Sequence, residues 1–130
     1  MQLETAQIIA EHMGGIRVRK SPVLREMFPT AFPGMVIPLK YRAQGKDNLD
    51  TILKRYFRLP RSTRHEVIVC HGNLIRSLVC RVLNVRLTLW GKLGTANAGI
   101  TRFTLFSDGN VALSSYNDVG HLPPHMITIN

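Results

Sequence analysis

The chain has 130 residues, of which 45% are apolar and 19% are charged, a balance typical of one globular domain or of part of one. Its apolar runs are too short and too often interrupted by charge to span a membrane, and its amphipathic, acid-containing start resembles neither a signal peptide nor a transit peptide. The net charge of +9 favours an anionic partner; the basic residues are scattered and no nucleic-acid recognition motif accompanies them, so we expect a phosphorylated substrate and no nucleic acid.

The first third of the chain predicts a helix, a short strand and a loop. Apolar residues recur at helical spacing from Leu3 to Met13, and Gly14 and Gly15 provide a stop. Apolar and basic residues alternate from Ile16 to Lys20, as they do in a strand. Prolines and a glycine between Phe28 and Pro38 then predict a loop over the surface or over a pocket.

Two further helices and a buried strand are predicted in the middle of the chain. A helix capped by Asp47 or Asn48 has an apolar stripe that extends to Phe57. The segment EVIVC, residues 66–70, is typical of a parallel strand buried on both faces. The segment NLIRSLVCRVL after it predicts a helix whose inward side chains are Leu74, Ile75, Leu78, Val79, Val82 and Leu83.

The last third predicts a β-hairpin followed by an irregular tail. The strands AGITRFTLF and NVALSSY are joined across residues 107–110, whose Asp-Gly pair is a hairpin signal. Helices and strands therefore alternate along the chain, which predicts an α/β fold: a layered sheet with flanking helices.

Cysteines and histidines do not predict a metal site. Cys70 and Cys80 lie in apolar surroundings and are expected to be reduced core residues. His121 and His125 are separated by two prolines, which break the helix on which such a pair would share a zinc ion.

His71 is the residue whose position most strongly indicates chemistry. It follows the predicted buried strand, Gly72 allows a close turn, and Asn73 is placed to cap the next helix. The free N–H groups at a helix start bind phosphate, and a histidine beside them can donate a hydrogen bond to a phosphoryl oxygen. A buried histidine bonded to a backbone carbonyl is the structural alternative.

Five segments, in order, resemble the histidine phosphatase (phosphoglycerate-mutase-like) superfamily. VIVCHGNLIR resembles the second-histidine motif, LETAQIIAEHM resembles the helix after the Arg-Ala-x-Glu-Thr motif, and LREMFP resembles the segment with the catalytic acid. TANAGITRFTLFSDGNVAL and NDVGHLPPHMIT resemble the mitochondrial serine/threonine phosphatase branch in particular. The resemblance implies a phosphoglycerate-mutase-like fold that lacks its N-terminal strand and helix, with residues 1–130 as a partial domain.

The resemblance also implies roles for individual residues. His71 would stabilise the transferring phosphoryl group together with Gly72, and Glu26 would protonate the leaving oxygen and later activate water. Asn97 and Gly99 would line the pocket wall. Arg25 matches an arginine of the same branch and receives no role. No cofactor is implied.

The nucleophilic histidine of this family, in an Arg-His-Gly or Arg-His-Ser motif, is missing from the 130 residues. The pair Arg64-His65 precedes a strand and is followed by Glu66 where a small residue is required, so we expect His65 at the surface. We therefore expect the chain alone to be inactive. Without the missing interior strand it should be marginally stable, or completed by another chain as in a homo-oligomer.

Three functions are compatible with these sequence features. The resemblance implies a phosphatase that acts on phosphoserine or phosphothreonine in proteins, or on a small phosphomonoester, in the mitochondrion. A non-catalytic phosphate-binding or interaction module, a pseudo-phosphatase, is the alternative. A phosphoglycerate mutase is less favoured, because its acidic motif continues Glu-Arg-His-Tyr and Glu26 is followed by Met27-Phe28-Pro29.

Overall fold

The computed structural model describes residues 2–28, 36–59 and 61–129, and within these ranges the chain forms three α-helices and one β-hairpin. The helices are α1 (Gln2–His12), α2 (Leu39–Tyr56) and α3 (Gly72–Val82), and the hairpin strands are β1 (Ile100–Leu105) and β2 (Val111–Asp118). Short 3-10 turns lie at Pro22–Leu24, Leu87–Lys92 and Pro124–Met126. Residues 29–35 of the predicted proline-rich loop lie outside the described residues, and residues 36–38 are irregular.

Helix α1 ends where its two glycines predicted. The N–H of Gly15 donates to the carbonyl of Ala10 at 2.9 Å, the bond that closes a glycine-terminated helix. Gly14 and Gly15 have φ angles of 83° and 76°, which side-chain-bearing residues rarely adopt.

Helix α2 begins at Leu39, so the predicted start at Asp47 or Asn48 is wrong. Residues 39–44 are mostly good helix formers, and a polar cap is not required once tertiary packing stabilises the first turns. Gly45 contributes to that packing: a Cβ built there would lie 3.2 Å from the Cβ of Met27, so the absent side chain lets the segment before α2 approach the helix.

The hydrophobic core lies between α2, α3 and the 3-10 turn at Pro22–Leu24. Its buried members are Met27, Leu49, Ile52, Leu74 and Leu78. Partly buried side chains pack around them: Val23, Leu24, Leu53, Tyr56, Phe57, Cys70, Leu87 and Phe103. Burial of each large aliphatic side chain contributes about 1.5–3 kcal/mol, so this cluster is the main stabilising contact between the two helices.

Helix α3 confirms most of its predicted inward face. Leu74, Leu78 and Val79 are buried, and Ile75 and Val82 are half-buried. Leu83 was predicted to point inward and is 50% exposed, because the helix ends at Val82 and Leu83 is its C-terminal cap. Arg81 Nη2 and Asp50 Oδ1 form an ion pair of 2.8 Å that joins α3 to α2.

Both cysteines are free thiols, as predicted. Cys80 is fully buried in α3, and Cys70 is half-buried against the core.

The predicted hairpin is confirmed. Strands β1 and β2 pair antiparallel, with Phe103 opposite Leu113 and Leu105 opposite Val111. Gly109 in the turn has a φ of 90°, the left-handed conformation that this position requires. The tail after β2 is irregular, as predicted, apart from its 3-10 turn and a bridge between Ala96 and Ile129.

The two other predicted strands are not formed. Residues 16–20 and 66–70 have no strand partner among the residues that the structure describes. The segment 66–70 is also not buried on both faces, because Glu66 is exposed and Val67 is 55% exposed. A parallel strand is buried by its neighbours, and in the described ranges the sheet contains the hairpin strands alone.

The architecture is of the predicted mixed α/β kind, in which helices pack with a small antiparallel sheet. Within the described ranges, no helix combines the length and the apolar character needed to span a bilayer.

Candidate functional site

His71 lies at the junction between the extended segment and α3. Its backbone is extended, with φ −105° and ψ 157°, and it is the N-cap residue of the helix. Its carbonyl accepts a hydrogen bond from the N–H of Ile75 at 3.1 Å, the first bond of the helix. The first N–H groups of α3, which have no partner within the helix, and the positive end of the helix dipole therefore lie next to His71 along the chain.

Asn73 does not cap the helix, so that prediction is wrong. The helix begins one residue earlier, at Gly72, which makes Asn73 its second residue. The Asn73 side chain accepts a hydrogen bond from Arg76 Nη1 at 2.9 Å, and its carbonyl accepts one from Ser77 Oγ at 2.7 Å.

The structure brings Glu26 next to His71. Glu26 Oε2 lies 3.9 Å from His71 Nδ1, and the two side chains are 39% and 30% exposed, so both can reach a ligand from solvent. The separation is within ion-pair range but longer than a hydrogen bond. The N–H of Met27 donates to Glu26 Oε1 at 3.2 Å, which restricts the carboxylate.

The core fixes both partners. Met27 follows Glu26 directly, and Leu74 lies three residues after His71; both belong to the same buried cluster. A residue next to a packed side chain has little freedom to move. The 3.9 Å approach of His71 and Glu26 is therefore a consequence of core packing.

Gln2 is a third polar group at the imidazole. Its Nε2 lies 3.3 Å from His71 Nδ1, so α1 contributes to the site from its first residue. The sequence offered no signal for this contact, because Gln2 belongs to none of the segments that carry chemistry.

Cys70 is not a nucleophile in this site. Burial is the main cause that raises the pKa of its thiol to about 11; a hydrogen bond from the His71 backbone partly opposes this shift, and the nearby Glu26 charge adds to it. The thiol is therefore protonated at neutral pH, and a protonated thiol is unreactive.

Gly72 lies against Thr95, a residue that the sequence analysis did not single out. A Cβ built on Gly72 would lie 2.8 Å from Thr95 Oγ1, closer than real side chains approach. Thr95 is 6% exposed, although its hydroxyl is polar.

Asn97 and Gly99 lie in the loop that leads into β1. The backbone N–H of Asn97 donates to the Thr128 carbonyl at 3.0 Å, and its Nδ2 donates to Thr128 Oγ1 at 2.8 Å. A Cβ built on Gly99 would collide with Asn117 Oδ1, so there is no room for a side chain at position 99. Their assignment to the pocket wall stays a prediction.

A cleft of about 500 Å³ adjoins Glu26 on the side of α2. Its walls include Glu26, Phe28, Tyr41 and Gly45, and Arg25 lies at the same cleft. Tyr41 was not predicted at this cleft, because the predicted start of α2 at Asp47 or Asn48 lies after it.

The other histidines lie apart from this site. His12 is the last residue of α1 and bonds the Ile8 carbonyl through Nδ1, and His65 is exposed, as predicted. Arg64 forms an ion pair with Glu66 at 2.6 Å. His121 and His125 are exposed in the tail. Across residues 2–28, 36–59 and 61–129, no three His, Cys, Asp or Glu side chains are grouped to hold a metal ion.

Residues 44–119, more than half of the chain, match the family described as "Histidine phosphatase superfamily (branch 1)". This range contains His71, Gly72, Asn97 and Gly99, and Glu26 lies before it.

The chain is also similar to proteins named "Serine/threonine-protein phosphatase PGAM5, mitochondrial". The Mus musculus and Homo sapiens proteins of that name are each 29% identical over 134 residues, covering 97% of this chain and 46% of theirs. A Caenorhabditis briggsae protein, "Serine/threonine-protein phosphatase Pgam5, mitochondrial", is 30% identical over 134 residues, covering 96% of this chain and 47% of its own. The chain spans about half the length of the curated relatives it matches.

Proposed function

The chain belongs to the histidine phosphatase superfamily, branch 1, as its motifs predicted, and on that premise we propose that it provides the second-histidine and acid half of a phosphomonoester hydrolase site. The observation that carries the proposal is the 3.9 Å distance between His71 Nδ1 and Glu26 Oε2 at the start of α3. Two side chains from distant parts of the sequence, an acid and a base, share a solvent-accessible position beside free helix N–H groups.

The proposed chemistry has two steps. In the first, a histidine nitrogen attacks phosphorus, the bond from phosphorus to the ester oxygen breaks, and Glu26 gives its proton to the leaving oxygen. In the second, water attacks the phosphohistidine, Glu26 takes a proton from that water, and inorganic phosphate and the free histidine are released. His71 and the first N–H groups of α3 stabilise the charge on the phosphoryl oxygens in both steps.

The attacking histidine is not supplied by the 130 residues. Their single Arg-His pair is Arg64-His65, which Glu66 follows and whose arginine is engaged with that glutamate. We therefore propose that these residues alone do not turn over substrate. Loss of a nucleophile whose partners act with it as a unit costs on the order of 10⁶ in rate.

The proposed substrate is a protein that carries phosphoserine or phosphothreonine, and the proposed compartment is the mitochondrion. Both come from the names of the relatives. The net charge of +9 supports an anionic substrate of any size, a small phosphomonoester included.

A non-catalytic phosphate-binding module is the second candidate, favoured by the absence of an Arg-His-Gly or Arg-His-Ser motif from the 130 residues. The coding sequence ahead of Met1 separates the two. An in-frame Arg-His-Gly segment there supports the phosphatase, and a stop codon supports the binding module.

The test is binding and turnover of a phosphoserine peptide by the 130-residue chain. We expect no release of inorganic phosphate, and tighter binding of this peptide than of its unphosphorylated form. His71→Ala should reduce that preference about tenfold or more, because a charge-assisted hydrogen bond is lost, and the control His65→Ala should not. Equal affinity for the two peptides, or turnover that survives His71→Ala, would overturn the proposal.

A further inference from the structure

We infer that Thr95 is a positioning residue for His71: its buried hydroxyl occupies the space beside Gly72 and so fixes the start of α3. This inference rests on the proposed function, since it assigns Thr95 to the same phosphoryl-binding site.

The first observation is the close approach of Thr95 to Gly72. A Cβ on Gly72 would lie 2.8 Å from Thr95 Oγ1 but 3.7 Å from Thr95 Cβ, an ordinary contact distance. The hydroxyl alone therefore excludes a side chain at position 72. Because Gly72 directly follows His71, a displacement of its α-carbon moves the imidazole relative to Glu26.

The second observation is that β2 holds the residues on both sides of Thr95. Tyr116 Oη donates to the Gly94 carbonyl at 2.5 Å, and the Ala96 N–H donates to Asn117 Oδ1 at 2.8 Å. The Asn117 N–H in turn donates to Thr101 Oγ1 at 3.1 Å, which ties the same corner to β1. Thr95 is thus fixed between two anchored neighbours.

Together these contacts connect the hairpin to the site. The hairpin fixes the segment 94–96, Thr95 contacts Gly72, and Gly72 carries the N-cap histidine. A contact of this kind sets the position of a functional side chain without touching the ligand.

The test is a double-mutant cycle in the full 130-residue chain, read through the imidazole resonances of His71 and its pH titration. Gly72→Ala should shift these resonances and weaken the binding of inorganic phosphate about tenfold. Thr95→Ala in the same chain should restore both, because the methyl group added at position 72 then fills the space that the colliding oxygen has left. The matched control Gly72→Ala with Thr95→Val should stay defective, since valine keeps a branch in that space.

Thr95→Ala alone should also shift His71 and weaken phosphate binding several-fold, and Thr95→Ser should keep the wild-type behaviour of both. If Thr95→Ala does not rescue Gly72→Ala, the inference is overturned. It is also overturned if Thr95→Ala alone lowers the melting temperature but leaves the His71 resonances and phosphate binding unchanged. The His71 resonances are measured without phosphate. They therefore test the role of Thr95 even if the wild-type chain binds no phosphate and the proposed function fails.

Discussion

At the residue scale, the site is built from side chains whose sequence neighbours pack in the core or against it. Glu26 precedes the core residue Met27, and His71 follows Cys70, which packs against the same core. The Glu26 carboxylate and the His71 imidazole stay half-exposed, while the residues next to them in the sequence are fixed by packing. A preorganised binding site needs this arrangement.

The thiol of Cys70 makes the folded chain sensitive to alkaline pH. Its pKa of about 11 in the folded chain lies above the ordinary value of 9.0, so the folded state keeps a proton that the unfolded state loses. The stabilisation of the folded state by this bound proton is fully present below pH 9 and is lost as the pH rises toward 11. At most, roughly 2–3 kcal/mol of the free energy of unfolding is lost in this way. In thermal melts, the loss of stability from pH 9 to 11 should be smaller for Cys70→Ala than for the wild type.

The same melts between pH 6 and 8 provide the control, because neither state of the thiol ionises there to a significant extent. Parallel loss of stability in the wild type and in Cys70→Ala above pH 9 would show that burial does not perturb this thiol.

At the element scale, the sequence predicted what local periodicity and turn chemistry determine. The Gly14-Gly15 stop, the stripe of α2 and the hairpin turn at Gly109 depend on residues within a few positions of one another, and all are confirmed. The start of α2 was wrong because its first turns lack a polar cap and are stabilised through Gly45 by contacts with Met27.

The strand prediction at residues 66–70 depended on partners that local pattern cannot supply. The apolar run is present, but burial on both faces requires adjacent strands, and none pairs with it in the described part of the chain. The site divides in the same way. His71 could be predicted from its place before a helix, whereas Gln2 contacts His71 and Thr95 approaches Gly72 across long sequence separations.

The extended segment 66–70 should make the isolated chain self-associate. Among the described residues no strand pairs with this segment, so its N–H and carbonyl groups beside the exposed Val67 form an open edge that accepts another strand. We expect the apparent mass in sedimentation velocity, and the melting temperature, to depend on protein concentration. Val67→Lys should reduce this association because a charge at an open edge opposes strand pairing.

Leu83→Lys is the matched control, since Leu83 has a similar exposure of 50% but is the C-cap of α3 and not part of the extended segment. It should leave the association unchanged. A monomer with a sharp melt that does not vary with concentration would contradict this expectation.

At the scale of the whole molecule, fold, family and charge agree with one another. The core of α2 and α3 places an acid and a histidine together, residues 44–119 match the histidine phosphatase superfamily, and the net charge of +9 attracts anions. The central claim is that the His71 imidazole and the start of α3 form part of a binding site for a phosphoryl group.

The most direct measurement is a titration of the chain with inorganic phosphate, followed through the imidazole resonances of its five histidines. The account predicts that His71 shifts saturably, that His65 does not, and that Glu26→Gln strengthens binding several-fold because the carboxylate no longer repels the anion. Equal shifts of His71 and His65, or no shift of His71, would contradict it.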